Sequence, residues 1–306
     1  MAQKMKIPKD FKKDVHPQDD FYRYVNGSWL KKNKIPADES RWGSFVILRH
    51  QTEKQLKNIL ADSDRGSTRT ERGKNAETKK LVRDFYRSGM DMKKRENLGA
   101  KPITGLRAEI AKLKNTEELL VLIAKFHRIG ISALWGYGVD QDSKNSEKYV
   151  LHFYQSGLGM PDRDYYLKNE TQYKRVRDAY LPHLQKMFSL LGYTEKEAGE
   201  KAKTVMEVET KLAKVSMDKV NARDAEKTYH KKSMPELQRL TPNVSWRNYF
   251  RLSGIPPIPY AIVMQPKFLK ESAKLLKFIP LEKWKVYLEW HLLNGAAVFL
   301  SRKILR

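Results

Sequence analysis

The chain has 306 residues, with 60 Lys plus Arg against 36 Asp plus Glu and a formal net charge of +24. That length is enough to bury one large core or two ordinary ones, and 6 Trp, 15 Tyr and 11 Phe argue against wholesale disorder. With no Cys, disulfides, thiolate metal sites, iron–sulfur clusters and Cys nucleophiles are all excluded.

Residues 1–15 read as a basic tail without the apolar stretch of a secretory leader. Residues 46–60 carry apolar side chains at helical spacing, as do residues 76–92 through Leu81, Val82, Phe85 and Tyr86. Between them, residues 61–74 are polar and lack large apolar side chains, which predicts a flexible loop. A helix is expected over 116–129, with Thr116 as N-cap and Gly130 as stop. A possible strand over 131–139 and a β-rich run over 148–154 follow. Long helices are expected over 170–191 and from the Thr194 capping box to about 215. Ser233-Met-Pro-Glu repeats that start signal, with Pro235 one residue late for the first helical position. After Pro256, Pro257 and Pro259 comes a short apolar strand over 260–264, then helices over 268–278 and 281–300. The fold class is therefore mainly α: a multi-helix domain with a few short strands.

The charge invites a nucleic-acid reading. Against it, the basic residues are spread along the chain, with only short groups at Lys31, Lys32 and Lys34, at Lys93, Lys94 and Arg95, and at Lys231 and Lys232. Nucleic acid is not the expected partner. No apolar run approaches the ~20 residues of a membrane helix; residues 284–300 are broken by Lys285, Glu289, His291 and Asn294. No membrane partner is expected, and the cytoplasm is the expected compartment.

Chemistry is sparse. No two of the seven His (16, 50, 127, 152, 183, 230 and 291) stand four apart on a helix face. There is no Gly-x-Ser-x-Gly elbow. Gly136-Tyr-Gly138 and Gly157-Leu-Gly159 read as turns, since no phosphate-binding helix signature follows them. Asp19–Asp20 and Asp162–Asp164 read as caps or salt bridges rather than an acid/base pair.

Three stretches add a further reading. The first is Pro17-Gln-Asp-Asp-Phe-Tyr-Arg-Tyr-Val-Asn-Gly-Ser-Trp-Leu, with Ile35-Pro-Ala-Asp and Ser40-Arg-Trp-Gly-Ser-Phe after it. The second is Gln155-Ser-Gly-Leu-Gly-Met-Pro-Asp-Arg-Asp-Tyr-Tyr-Leu. The third combines Glu209-Thr-Lys-Leu-Ala, Arg223-Asp-Ala-Glu-Lys-Thr-Tyr, and Pro242 with Trp246 and Tyr249. In this order and spacing, residues 16–306 resemble the N-terminal region of the neprilysin and endothelin-converting enzyme family of zinc metallopeptidases, PepO-type oligopeptidases included.

The resemblance implies a helical cap domain that closes over a zinc site and admits peptides and small polypeptides to a central chamber. In the family, the His-Glu-x-x-His zinc helix, the later carboxylate ligand, the helper His and the substrate-backbone motif all lie in a C-terminal half. That half has no counterpart here, so zinc is expected there and no metal in this chain. The chain alone is expected to be inactive, with catalysis supplied by a separate zinc-domain polypeptide or by the remainder of an interrupted gene. The alternative is a non-catalytic peptide- or partner-binding module, followed by a basic nucleic-acid-binding protein. Arg41 matches the family Arg that binds the C-terminal carboxylate of a peptide substrate, and Arg49 matches a second Arg nearby; surface salt bridging is the competing role for both. No catalytic residue carries across. Gly157, Gly159 and Pro161 are expected to shape a turn over Tyr165 and Tyr166, and Trp29, Trp42 and Trp246 to anchor a core. Asn26 stands where many relatives have Cys, which rules out the disulfide they make there.

Overall fold

A computed structural model describes residues 11, 12, 14–62 and 74–305. The expected flexible loop over 61–74 and the basic tail over 1–15 fall mostly outside the described residues. The chain divides into two compact units, Met1–Met90 and Asp91–Arg306.

The first unit contains α1 (Phe21–Lys32), α2 (Ser44–Asp62) and α3 (Lys74–Met90). Asp20 starts α1 by accepting the Arg23 N–H at 2.8 Å, an N-cap that supplies a partner for a first-turn amide. Of the residues in this unit whose burial is described, none is buried. The apolar stripe expected over 46–60 lies on α2, but much of it faces solvent: Leu48 is 57 % exposed and Ile59 64 %. Trp29 and Trp42 are half-buried, so the expected core-anchor role fails for them and holds for Trp246, which is 1 % exposed in the second unit.

The second unit holds the core. Its elements are α4 (Met92–Leu98), α5 (Thr104–Lys112), α6 (Thr116–Arg128), β1 (Trp135–Asp142), β2 (Asn145–Gln155), α7 (Asp164–Leu167), α8 (Thr171–Leu190), α9 (Glu195–Val215), α10 (Ala225–Thr228), β3 (Lys231–Ser233), α11 (Met234–Leu240), α12 (Trp246–Ser253), β4 (Tyr260–Val263), α13 (Pro266–Phe278), α14 (Leu281–Ala296) and α15 (Arg302–Leu305). The mainly helical class with a small sheet is the one expected. Both predicted capping boxes form, at Thr194/Glu197 and at Ser233/Glu236. The cap of α6 is Asn115 rather than Thr116: its side chain accepts the Glu118 N–H at 2.9 Å, and Thr116 is the first helical residue. Helices α1, α5 and α12 were not expected, because each is short or carries a mixed apolar pattern.

The sheet runs in the order β1-β2-β4-β3. β1 and β2 form an antiparallel hairpin, β4 lies parallel to β2 with Phe153 opposite Val263, and β3 pairs antiparallel to β4. The strand expected over 131–139 begins later, at Trp135, because Leu134 turns the chain at φ 63°.

Trp135, Trp246, Tyr249, Phe153 and Phe250 pack between the sheet and α12, with Phe153 edge-on to Trp246 at 4.9 Å between ring centroids. Their polar edges are matched. Trp246 Nε1 donates to Thr241 Oγ1 at 2.8 Å, and Trp135 Nε1 to Tyr249 Oη at 3.1 Å. His127 joins this set between Tyr249 Oη and the Ala133 carbonyl, which lies 2.8 Å from Nε2. A carbonyl only accepts, so Nε2 carries the proton and Nδ1 accepts from the Tyr249 hydroxyl.

Burial pulls the His127 pKa down to about 4. The unfolded chain therefore takes up a proton at this position before the folded one does, and stability falls as pH drops from the free-imidazole value toward 4. Between pH 7 and pH 5 the loss should be about 2 kcal/mol by linkage. Urea denaturation at the two pH values measures it, and His127→Gln should remove most of the difference. An unchanged difference in that variant would assign the acid sensitivity to other groups.

Candidate functional site

In the first unit Arg41 stands just before α2 and Arg49 lies within it. Gly43 starts the helix by accepting the Ile47 N–H at 3.0 Å. Arg49 and His50 lie in the helix that follows, and both reach back to Glu39, at 2.5 Å from Arg49 Nη2 and 2.7 Å from His50 Nε2. Trp42 packs edge-on against the His50 ring at 5.4 Å. Arg49 also lies 3.7 Å from Glu53, one helical turn on. The hydrogen bond from His50 holds the Glu39 carboxyl below its ordinary pKa; partial burial opposes the shift and the Arg49 charge adds to it.

The two arginines thus differ. Arg49 is compensated by a carboxylate. Arg41 is exposed and, among the described residues, makes no hydrogen bond or ion pair. Its planar fork is free to take a carboxylate bidentately. Glu39 and His50, which set the charge around Arg49, are the residues that reading the sequence missed. Their signal was position alone: His50 adjoins Arg49, and Glu39 comes just before the Ser40-Arg41 pair.

The second unit contains a buried polar centre built on the Gly157–Tyr166 segment. Gly157 adopts φ +81°, and a Cβ there would sit 2.3 Å from the Tyr287 hydroxyl; only glycine fits that turn. Tyr287 Oη donates to the Gly157 carbonyl at 2.8 Å and accepts the Leu134 N–H at 2.9 Å. Tyr166 Oη accepts the Met160 N–H at 2.9 Å and donates to Glu209 Oε2 at 2.7 Å. Tyr180 donates to the same oxygen at 3.1 Å. His291 Nε2 stands 3.4 Å from Glu209 Oε1 without hydrogen-bond geometry. Desolvation first, then the Glu209 charge, pushes both Tyr166 and Tyr180 far above the ordinary phenol pKa, so they remain donors at any working pH. Asp162 and Asp164 act locally, as expected: Asp162 accepts the Asp164 N–H at 2.8 Å, and Asp164 pairs with Lys168 at 3.2 Å. Nothing here has the exposure that a substrate needs; the centre is structural.

Among the described residues no group of three His, Asp or Glu converges as metal ligands. His127 is committed to the contacts above. The residues present do not fit a zinc ion, and no chemical step is assigned to one in this chain.

The profile of peptidase family M13 matches residues 17–306, in its N-terminal region. The chain belongs to peptidase family M13. It is 29 % identical over 305 residues to endothelin-converting enzyme 1 of Cavia porcellus, covering 94 % of this chain and 39 % of that protein. It superposes on the zinc metalloprotease Zmp1 of Mycobacterium tuberculosis in complex with an inhibitor, with a TM-score of 0.87 at 31 % identity, over 97 % of this chain and 45 % of Zmp1. PepO of Lactobacillus rhamnosis HN001 shares the fold at 18 % identity, with a TM-score of 0.72 over 95 % of this chain and 45 % of PepO. The chain spans less than half the length of these M13 relatives, and the match lies in their N-terminal part. The family resemblance read from the three motif stretches is therefore established, together with its helical fold.

Replacing Glu209 with Ala would leave two buried hydroxyls without an acceptor. The expected cost is about 2–4 kcal/mol of unfolding free energy, measured by urea denaturation. A loss under about 1 kcal/mol would mean that the hydroxyls find other partners.

Proposed function

We propose that this chain is the N-terminal, substrate-restricting part of a neprilysin-like zinc metalloendopeptidase that acts on peptides and small polypeptides. The observation that carries the reading is an uncompensated guanidinium at Arg41, inside Ser40-Arg41-Trp42-Gly43, in a chain of peptidase family M13. In this reading Arg41 takes the free C-terminal carboxylate of the peptide. Arg49 adds a second positive charge, already shared with Glu39, and so holds a carboxylate less strongly.

Catalysis belongs to polypeptide corresponding to the rest of the M13 relatives' length, on this chain or on a separate one. Zinc bound there supplies an activated water for peptide hydrolysis. The first unit supports a partner of this kind. It has no buried side chain among those described, and it presents Phe45, Leu81 (72 % exposed) and Phe85 (81 % exposed) to solvent. Exposed apolar side chains on two successive helices support that reading. The absence of Cys agrees with a reducing compartment, and we propose the cytoplasm. Among the described residues no helix is long and apolar enough to cross a membrane.

A second reading keeps Arg41 and drops catalysis: a module that holds peptide C-termini. Metal analysis and a fluorogenic-peptide assay on the purified chain separate the possibilities. The expected result is no stoichiometric zinc and no turnover, with turnover appearing when a His-Glu-x-x-His polypeptide is added. One tightly held zinc with chelator-sensitive hydrolysis by the chain alone would overturn this division of labour. Peptide binding that never leads to turnover would favour the second reading. In either case Arg41→Ala should weaken binding of a free-carboxylate peptide by about tenfold and leave its C-terminal amide unaffected. Equal losses for both peptides would remove Arg41 from carboxylate recognition.

A further inference from the structure

The second unit contains a half-open cleft of about 670 Å³ whose lining is strongly one-sided in charge. Arg163, Lys214, Lys227, Lys232 and Lys267 line it, against one carboxylate, Asp218. That carboxylate is already engaged. It accepts the backbone N–H groups of Val220 and Asn221, each at 3.0 Å, and the Asn221 side-chain amide at 2.6 Å. The Asn221 hydrogen bonds hold its pKa below the ordinary aspartate value.

The cations are mostly unmatched. Among the described residues Lys214 and Lys267 make no hydrogen bond or ion pair, and both are exposed. Lys232 has no ion pair within reach and acts only at longer range on Glu236. Arg163 spends one nitrogen on the Ser216 carbonyl at 2.6 Å and has no carboxylate partner. Lys227 alone is paired, with Asp224 at 3.5 Å. The neighbouring Asp162 and Asp164 are matched by Lys219, 3.7 Å from each.

One further feature of the lining favours an anion. Helix α13 opens on this cleft, and no side chain caps it. Its N-cap residue, Gln265, is buried, with its side-chain oxygen turned to the Gln155 N–H at 2.9 Å. The positive end of the helix dipole is thus left open to the cleft. An oxyanion would meet the unmatched cations and this helix end together, and Lys ammonium groups suit phosphate as point charges.

We propose that this cleft binds an oligophosphate, either an inorganic chain or the phosphate tail of a nucleotide. Neither Arg41 nor Arg49 lines it, so the inference stands apart from the peptide reading. The test is calorimetric titration of the whole chain with sodium tripolyphosphate, and separately with ATP, at about 0.15 M salt, where exposed charges are screened beyond ~8 Å. Saturable binding with one site is expected. Lys214→Ala/Lys267→Ala should weaken it by about tenfold, while Lys54→Ala/Lys57→Ala, which removes the same charge from α2, should change it less than about twofold. Thermal melts of both variants check that the fold is kept. Equal affinity for the two probes assigns recognition to the phosphates; tighter ATP binding adds a contact to the nucleoside. Absence of saturable binding, or equal losses in the two variants, would reduce the effect to the diffuse field of the +24 charge and overturn the proposal.

Discussion

A carboxylate without solvent organises the second unit. Glu209 lies at 0 % exposure on α9, among Val205, Val208 and Leu212, on the face that packs into the core. Removing such a group from water is costly, and the cost is offset only where its lone pairs are filled. Tyr166 from α7 and Tyr180 from α8 fill them. The same demand explains Gly159. A Cβ on Gly159 would lie 1.9 Å from the Tyr180 hydroxyl, so any side chain there would push the donor off its acceptor. The turn, two helices and the core are thereby held to one geometry by a single acidic group.

The first unit is built on a different principle. Its helices have good local signals, such as the Asp20 cap and the basic last turn of α1, but none of its residues whose burial is described is buried. Local signals shape helices; tertiary stability comes from burying an apolar face. The charge balance around Arg49, set by Glu39 and His50, is likewise a surface arrangement. Arg41 is the exception, because nothing in the described chain answers its charge.

How much of this could be read beforehand depended on distance along the chain. The capping boxes at Thr194 and Ser233 were legible because donor and acceptor stand three residues apart. Asn115 outcompeted Thr116 as a cap, a shift of one residue that propensity does not decide. The parallel pairing of β2 with β4 joins residues about a hundred positions apart, and neither run carries a mark of its partner. Trp29 and Trp42 looked like core anchors since large aromatics usually are, yet burial depends on what lies opposite. Glu209 was visible as part of a motif, but not as a buried acceptor. The family motifs around Arg41 carried the functional reading; composition alone left only a basic helical protein.

The tyrosine lock has a consequence for synthesis. Tyr287, far downstream, bridges the Leu134 amide and the Gly157 carbonyl, which leave the ribosome long before it. During translation those two groups must wait in water, or on a chaperone, until α14 arrives. The middle of the second unit is thus open to misassembly while α14 is still being made.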